Sequence, residues 1–453
     1  MTGASILLVF VSLCAVVGYF ALTQPRAIVH LALRPDTLLL LAIVLPLIGL
    51  AWAATVVATY LVLRPSAMSV MHRIAAVAVV TVLVAVIAVP FAVGGRYAWV
   101  QKDLVEHVFA GSTSKSATRP TTAPRAVGNP WKDQGRVNVL LLGSDAGPDR
   151  SGVRPDTIIL ASIDTRTGAT VMFSVPRNLQ KIPFPAGSAP ARVYPNGTYA
   201  GPGNELEWLI NSVYRNVPAQ HPDLLDSDNP GADATKLAVS GALGVPVDYY
   251  AMVNLEGFKE LIDALGGITV NVNHRVAMGG EADAGLVPGG WIEQGPNQHL
   301  DGFDALWFAR GRYGADDYQR MGRQRCVIKA IIDQADPLRV LTRYEALAAS
   351  SRDLFSTDIP HDLLPAFADL AWKVKGADVT SIAFTNEVIR PSNPDYQQIH
   401  ELVQNAIKES TTKKSKSSIT DSLDNACAYH PDKSGPSTPR PRPGYSSAPE
   451  DGS

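Results

Sequence analysis

Residues 308 to 325, FARGRYGADDYQRMGRQR, combine five arginines with one pair of adjacent aspartates. The whole chain has 453 residues and a formal net charge of −2, so this positive charge is local. Guanidinium groups pair with carboxylates or phosphates through two parallel hydrogen bonds. The stretch therefore indicates internal ion pairs or a bound anion. A basic face that could bind nucleic acid is absent, and we expect no nucleic-acid partner.

A helix beginning near residue 317 would divide these arginines between two faces. At 100° per residue, one stripe contains Arg320, Arg323, Gln324, Val327 and Ile331. Because the apolar end of this stripe must face the core, its arginines turn inward, where an unpaired charge is costly. Arg325 points away and is predicted to be a solvated surface residue.

Charged residues also lie at or near one end of three predicted strands. Asp145 follows VNVLLLGS (137–144), Arg154 and Asp156 precede or begin TIILASID (157–164), and Arg177 follows ATVMFSVP (169–176). Ligands of α/β sheets gather beyond the carboxyl ends of strands. Taken singly, each residue could instead be a turn former or part of a surface ion pair worth about 0–1 kcal/mol. Together they favour a site.

The arginines outnumber the carboxylates that could neutralise them. The candidates are Arg154, Arg177, Arg310, Arg312, Arg320 and Arg323. If LWFAR is extended, Arg310 and Arg312 project to the same side. The surplus of positive charge predicts a phosphate site. Asp145 and Asp156 would then be available for a hard cation such as Mg²⁺, which prefers carboxylate and phosphate oxygens.

Strand patterns alternate with helical ones, which predicts an α/β sandwich. Further strands are expected at 267–272 and 379–384. Helices are expected at 203–216, 231–244, 255–265, 317–335, 337–350, 360–373 and 394–409. The sequence contains no G-x-S-x-G, H-E-x-x-H or P-loop motif, and its histidines lack metal-ligand spacing.

Three apolar stretches near the N-terminus predict a membrane region over residues 1–95. The predicted transmembrane helices are 4–22, 37–63 and 74–95, each close to the roughly 20 residues that a bilayer requires. The first could be a signal-peptide core, although no lysine or arginine precedes it. Arginines in the two short loops leave the orientation open. With a cytoplasmic N-terminus, everything after residue 95 lies outside the cell.

The remaining chain divides by composition. Residues 96–131 are predicted to be a linker, which is extracytoplasmic under that orientation and is rich in Ser, Thr and Pro from 111 onward. Residues 132–410 form a predicted globular domain, and residues 411–453 are a predicted disordered tail. Cys326 and Cys427 could form a disulfide outside the cell or remain two unrelated thiols, and the sequence leaves both open.

Six blocks, in order, resemble the LytR–CpsA–Psr (LCP) family. They are VNVLLLGSD, RPDTIILASID, SVPRN, DYYAMVNLEGFKELIDALGGITVNV, HLDGFDALWFARGR and DDYQRMGRQR, within residues 136–336. The resemblance implies a three-layer α/β/α sandwich with a central mixed sheet, tethered outside the cell by N-terminal helices. It also implies a polyprenyl-pyrophosphate-binding transferase that attaches wall glycopolymers to peptidoglycan.

The resemblance assigns roles to individual residues. Asp145 and Asp156 match acidic residues near Mg²⁺ (or Mn²⁺), and the expected catalytic residues are these two with Arg177 and Arg310. Pyrophosphate binding falls to Arg154, Arg177, Arg310, Arg312, Arg320, Arg323 and Gln324, the last three in an R-x-x-R-Q motif. Three features depart from the family pattern: Asn178 replaces an aspartate, Leu209 replaces a lysine, and residues 181–208 resemble an insertion.

We therefore expect a membrane-anchored phosphotransferase of the cytoplasmic membrane. It would move a polyprenyl-pyrophosphate-linked glycopolymer onto peptidoglycan, with the C6 hydroxyl of muramic acid as acceptor, and release polyprenyl phosphate. The alternatives are a non-catalytic polyprenyl-pyrophosphate glycan-binding protein and a pyrophosphatase. Frequent Ala, Val, Arg and Pro suggest an actinobacterial source and arabinogalactan as the polymer, with teichoic acid as the alternative.

Overall fold

The computed structural model describes residues 19, 23–65, 68–111, 113–120, 130–132, 134–145, 153–281, 285–335, 354–411 and 420–430. A seven-stranded mixed sheet lies at its centre, in the order β11-β6-β1-β2-β3-β12-β13. Its strands are β1 (Arg136–Ser144), β2 (Pro155–Asp164), β3 (Thr170–Ser174), β6 (Tyr249–Val253), β11 (Phe355–Thr357), β12 (Val379–Ala383) and β13 (Asp421–Ser422). The remaining strands form two-stranded sheets: β4 (Ile182–Pro183) with β5 (Thr198–Tyr199), β7 (Ile268–Val272) with β10 (Gly295–Leu300), and β8 (Val276–Met278) with β9 (Gly290–Ile292).

Twelve α-helices occur in the described ranges. They are α1 (Pro25–Ala32), α2 (Pro35–Leu63), α3 (Val70–Val108), α4 (Ala189–Val193), α5 (Val213–Gln220), α6 (Pro230–Leu243), α7 (Leu255–Leu265), α8 (Gly302–Arg310), α9 (Asp317–Gln334), α10 (Leu364–Lys375), α11 (Tyr396–Thr411) and α12 (Leu423–Ala426). The predicted helix at 337–350 lies outside the described residues.

Alternation along the strands separates the two faces of the sheet. In β1, Leu140 and Leu142 face a core formed with α5, α6 and α11, whereas Val137 and Val139 face one formed with α10. This period of two is expected of a strand that is covered on both sides. A further core joins α7, α8 and α9 to the small sheets β7–β10 and β8–β9. The predicted α/β/α sandwich with a central mixed sheet is confirmed.

Helices α2 and α3 are long and apolar enough to cross a membrane, by length and composition. The predicted span at 4–22 lies outside the described residues apart from Tyr19. The third predicted span ends at residue 95, but helix α3 continues to Val108, into the region predicted to be linker. Residues 113–120, here called the juxtamembrane strap, contact α6 of the α/β domain. Of the residues predicted to be linker, 96–108 thus belong to α3 and 113–120 pack on the α/β domain.

Three further predictions need correction. LWFAR is not extended: it lies in α8, whose N-cap Asp301 accepts a hydrogen bond from the backbone N–H of Asp304. The predicted helix at 203–216 is two 3₁₀ turns, Glu205–Trp208 and Ile210–Ser212, followed by α5. Residues 420–430 are structured, since β13 pairs with β12 and Cys427 forms a disulfide with Cys326 on α9.

Candidate functional site

The direction of the strands brings the predicted site residues to one edge of the sheet. β1 and β2 are antiparallel, as are β2 and β3. The carboxyl ends of β1 and β3 therefore meet the amino end of β2, and Ser144 pairs with Pro155. Asp145 follows β1, Arg154 and Asp156 lie at the start of β2, and Arg177 follows β3, so the coincidence noted in the sequence has a topological cause.

Asp156 accepts hydrogen bonds from two of the predicted arginines. Arg177 Nη1 lies 2.8 Å from Asp156 Oδ1, and Arg312 Nη2 lies 3.1 Å from Asp156 Oδ2. Arg177 comes from the loop after β3 and Arg312 from the loop after α8. The side chain of Asp156 is 26% exposed, so these ion pairs lie at the rim of the domain and not in its core.

Helix α9 brings a third guanidinium and a second carboxylate to the same place. Arg320 is buried, and its Nη2 lies 2.9 Å from Asp317 Oδ1 while its Nη1 donates to the backbone carbonyl of Asp156 at 3.2 Å. Asp317 Oδ1 also lies 3.6 Å from Arg177 Nε. Among the described residues, Arg320 Nε is buried without a hydrogen-bond partner. The predicted inward orientation of Arg320 is confirmed.

This arrangement, the arginine cluster, is defined by Arg177, Arg312, Arg320, Asp156 and Asp317. It has three positive and two negative charges. Burial alone would raise the pKa of the Asp156 carboxyl, but Arg177, Arg312 and Arg320 outweigh it and hold that pKa below its ordinary value. Burial and the neighbouring guanidiniums lower the pKa of Arg312. The cluster thus keeps one positive charge that its carboxylates leave uncompensated.

The other two members of the R-x-x-R-Q motif contact the end of α8. Arg323 Nε donates to the carbonyl of Phe308 at 2.7 Å, and its Nη2 donates to the carbonyl of Gly311. Gln324 Nε2 donates to the carbonyl of Ala309 at 3.3 Å. The last carbonyls of a helix lack partners within it, and a cation is favourable there. Arg323, whose pKa burial and Arg320 lower to about 10, therefore caps α8.

Arg154 contacts a carboxylate that sequence reasoning missed. Its Nη2 lies 2.7 Å from Glu207 Oε1, on the 3₁₀ turn within the predicted insertion. Arg215 on α5 contacts the other carboxylate oxygen of Glu207. No spacing in the sequence links these residues, because Arg154 and Glu207 are 53 positions apart.

Arg310 and Asp145 are two further predicted site residues, and the environment predicted for Arg325 needs correction. Arg310 ends α8, and its guanidinium lies 5.1 Å from the ring centre of Trp307. Asp145 directly follows β1 at the same edge as the arginine cluster. Arg325 is half-buried and donates to Ser381 Oγ at 2.8 Å, so the prediction of a solvated residue was wrong. The ordered C-terminal segment, bound to α9 through Cys326–Cys427, explains its burial.

Within the described ranges, no group of three or more His, Cys, Asp or Glu side chains gathers as a metal site. Asp145 and Asp156 are two carboxylates at one sheet edge, where β1 and β2 pair. Mg²⁺ commonly binds one or two carboxylates and completes its shell with water and substrate phosphates. Asp145 and Asp156 are therefore the residues at this edge that could hold such a cation.

Comparison with known proteins gives the family. The model described as the LytR_cpsA_psr family matches residues 104–414, which is more than half of the chain. The chain belongs to the LytR–CpsA–Psr family. The match begins inside α3 and includes the juxtamembrane strap, the arginine cluster and Glu207. The resemblance of the six sequence blocks is thereby confirmed.

Curated relatives include two transferases named polyisoprenyl-teichoic acid–peptidoglycan teichoic acid transferase TagU. The protein from Enterococcus faecalis is 27% identical over 287 residues, covering 61% of this chain and 80% of the relative. The protein from Oceanobacillus iheyensis is 30% identical over 237 residues, covering 51% and 61%. Among solved structures, B. subtilis TagV aligns with a TM-score of 0.42 and 22% identity, over 66% of this chain and 99% of that one.

Proposed function

We propose that the chain is a membrane-anchored phosphotransferase that moves a polyprenyl-pyrophosphate-linked glycopolymer onto peptidoglycan and releases polyprenyl phosphate. The observation that carries the proposal is the arginine cluster, in which three guanidiniums share two carboxylates at one sheet edge. A pyrophosphate would neutralise the remaining positive charge and accept paired hydrogen bonds from Arg177 and Arg312. Family membership and the names of the TagU relatives support the same reaction class.

The exposed fraction of each arginine side chain in the cluster would decide its role. Arg312, with 42% of its side chain exposed, and Arg177, with 30%, can turn from Asp156 to a ligand with little rearrangement. Arg320 is buried and fixed by Asp317, so it supplies a stationary positive charge. Phosphoryl transfer depends mainly on such charge stabilisation and on positioning. Arg154 and Arg310 would extend the contact from either side.

The proposed reaction is a displacement at the glycan-bearing phosphorus. The acceptor oxygen, the C6 hydroxyl of muramic acid, forms a bond to this phosphorus. The bond from the same phosphorus to the bridging oxygen breaks, and polyprenyl phosphate leaves with the electron pair. Because guanidiniums hold the pKa of Asp156 low, Asp156 is a weak proton acceptor. The hydroxyl proton passes to solvent, and Asp145 would orient the acceptor hydroxyl.

Asp145 and Asp156 would hold Mg²⁺, with Mn²⁺ as a substitute. A bound divalent cation would supply further neutralisation of negative charge on the phosphates. Asp156 keeps the ionised state that a metal ligand requires, since its pKa is lowered.

The proposed location is the cytoplasmic membrane, with three crossings and the α/β domain outside the cell. Helices α2 and α3 have the length and composition of two of these crossings. The names of the curated relatives favour a polymer of the teichoic-acid type, and arabinogalactan is the alternative that residue usage suggests.

The test uses the full chain in nanodiscs with a lipid-linked glycopolymer, peptidoglycan and Mg²⁺. We expect polyprenyl phosphate and glycan-bearing peptidoglycan to appear together, and chelation by EDTA to stop both. Arg312→Ala should lower kcat/KM by about a hundredfold, the upper range for a hydrogen bond to a charged group. Arg166→Ala, an exposed arginine at the opposite end of β2, is the matched control and should retain activity.

The alternatives give different products. A pyrophosphatase would release polyprenyl phosphate equally well without peptidoglycan, and a glycan-binding protein would release none. Full activity of Arg312→Ala would show that the arginine cluster takes no part in the reaction.

A further inference from the structure

Glu207 is held by contacts on both its side chain and its backbone. Its Oε1 accepts from Arg154 Nη2 at 2.7 Å, and its Oε2 accepts from Arg215 and from Asn216 Nδ2, the latter at 3.0 Å. Its backbone carbonyl accepts from Ser212 Oγ at 2.7 Å and from Asn216 Nδ2 at 2.8 Å. The carboxylate therefore has a defined position before any ligand binds.

The residues around this turn are hydrogen-bonded and closely packed. The Tyr199 hydroxyl also donates to the Glu207 carbonyl, at 2.9 Å, and both Tyr199 and Ser212 are fully buried. The ring of Tyr199 packs against Trp208 and Tyr194 at centroid distances of 5.1 and 5.3 Å. A side chain supported in this way can fix a neighbour to the accuracy that a binding site requires.

We propose that Glu207 is a positioning residue, which holds the guanidinium of Arg154 in the orientation needed to bind the pyrophosphate of the lipid substrate. This inference rests on the proposed function, because it assigns the partner of Arg154. A free arginine side chain must lose rotamer freedom when it binds a ligand, and prior fixation reduces that cost.

Charge and contact geometry indicate that Glu207 orients Arg154 and does not compete with the pyrophosphate for it. Glu207 is shared by Arg154 and Arg215, so the group retains one positive charge to attract an anion. The hydrogen bond from Arg154 to Glu207 uses Nη2, whereas a bidentate pair would occupy two nitrogens. Hydrogen bonds from Asn216 and Arg154 lower the pKa of Glu207 to about 2, so protonation does not release Arg154 at ordinary pH.

Glu207 belongs to residues 181–208, the segment predicted to be an insertion. Residues 181–208 depart from the family pattern, and Glu207 lies at the end of that stretch. Its aromatic neighbours Tyr194, Tyr199 and Trp208 belong to the same stretch, so the insertion carries both the carboxylate and part of its support. The inserted segment thus contributes to the orientation of a pyrophosphate arginine.

The test compares Glu207→Gln, Arg154→Ala and the double variant in the full chain in nanodiscs. Geranyl pyrophosphate serves as the binding probe in calorimetry, and KM and kcat for glycopolymer transfer are measured in parallel. Arg154→Ala should weaken binding about tenfold, as expected when one charge-assisted hydrogen bond is lost. Glu207→Gln should weaken it about fivefold, through KM with kcat within about twofold.

The double variant decides between positioning and an independent role. If Glu207 acts through Arg154, the double variant should bind no worse than Arg154→Ala. Losses that multiply would overturn the inference, as would tighter binding by Glu207→Gln, which would mark Glu207 as a competitor. Glu205→Gln makes the same charge change on the same exposed turn and should behave as wild type. Glu207→Asp keeps the charge but shortens the reach, and it should weaken binding in the same direction.

Binding and turnover separate this inference from the proposed function. If the wild-type chain binds the probe but transfers no glycopolymer, the transferase proposal is refuted and the positioning role of Glu207 is not. Normal transfer with wild-type binding by Glu207→Gln would remove positioning alone.

Discussion

The juxtamembrane strap provides the sharpest test of how the chain that follows α3 joins the α/β domain. Asp233 on α6 is 1% exposed, and its carboxylate accepts from Ser116 Oγ at 2.8 Å, from the Ala117 backbone N–H at 2.7 Å and from Thr118 Oγ1 at 2.5 Å. Nearby, the buried Lys236 ammonium lies 2.5 Å from Asp358 Oδ2. Residues of the strap thus complete a buried ionic group.

The perturbation is the double variant Ser116→Ala and Thr118→Val, which keeps the strap but deletes two donors. A hydrogen bond to a charged group contributes about 1.5–3 kcal/mol, so the loss of both should cost about 3 kcal/mol or more. At about 2–4 °C for each kcal/mol in a domain of this size, the melting temperature should fall by about 6–12 °C. A buried carboxylate that loses donors without gaining water explains the direction.

The assay is thermal unfolding of a chain that begins at residue 104, where the family match starts. Thr113→Val is the matched control, since Thr113 is an exposed residue of the same strap, and its melting temperature should shift by less than about 1 °C. A chain that begins at residue 132, the domain boundary predicted from sequence, lacks all three donors and should be no more stable than the double variant. If the double variant melts with the wild type, the strap does not stabilise the domain.

Two further predictions concern ion pairing and the disulfide. The pKa of Asp156 lies below its ordinary value of 3.8, so its ion pairs contribute stability above that pH and lose it as the pH falls further. The stability difference between wild type and Asp156→Asn should therefore be constant from about pH 5 to pH 8 and shrink in acid; a difference that grows in acid would contradict this sign. Cys326 and Cys427 are 101 residues apart, and a loop of that length predicts up to about 4.7 kcal/mol of stabilisation. Cys427→Ala should lower the free energy of unfolding and speed hydrogen exchange at residues 420–430, whereas unchanged exchange would show that β13 holds this segment unaided.

Much of the sheet and its functional edge could be predicted because the responsible patterns are local. Apolar runs bounded by turns located β1, β2 and β3, and their charged end residues lie together because the strands are antiparallel neighbours. The helical stripe placed Arg320 correctly, since its period depends only on α9 itself. Apolar runs, turns and helical stripes depend on neighbouring residues, so they can be predicted without knowledge of the fold.

Long-range contacts explain the failures. Arg325 lies off the apolar stripe of α9, and it is half-buried because β12, where it donates to Ser381 Oγ, and residues 420–430 both lie against that helix. Glu207 contacts Arg154 from 53 positions further along the chain, a separation that no helix or strand period predicts. The α8 error was different, since Asp301 three residues before Asp304 is an N-cap pattern that favours a helix over an extended LWFAR.

The residues of the R-x-x-R-Q motif make two different kinds of contact. Arg320 contributes positive charge to the cluster, whereas Arg323 and Gln324 bind the carbonyls at the end of α8. Arg310 is the last residue of that helix, and Arg312 follows two residues later. Because α9 fixes the end of α8, it also fixes where Arg312 can meet Asp156. Under the proposed function, Arg323 serves the site by capping α8, so its loss would disturb the site through backbone position and not through lost phosphate contact.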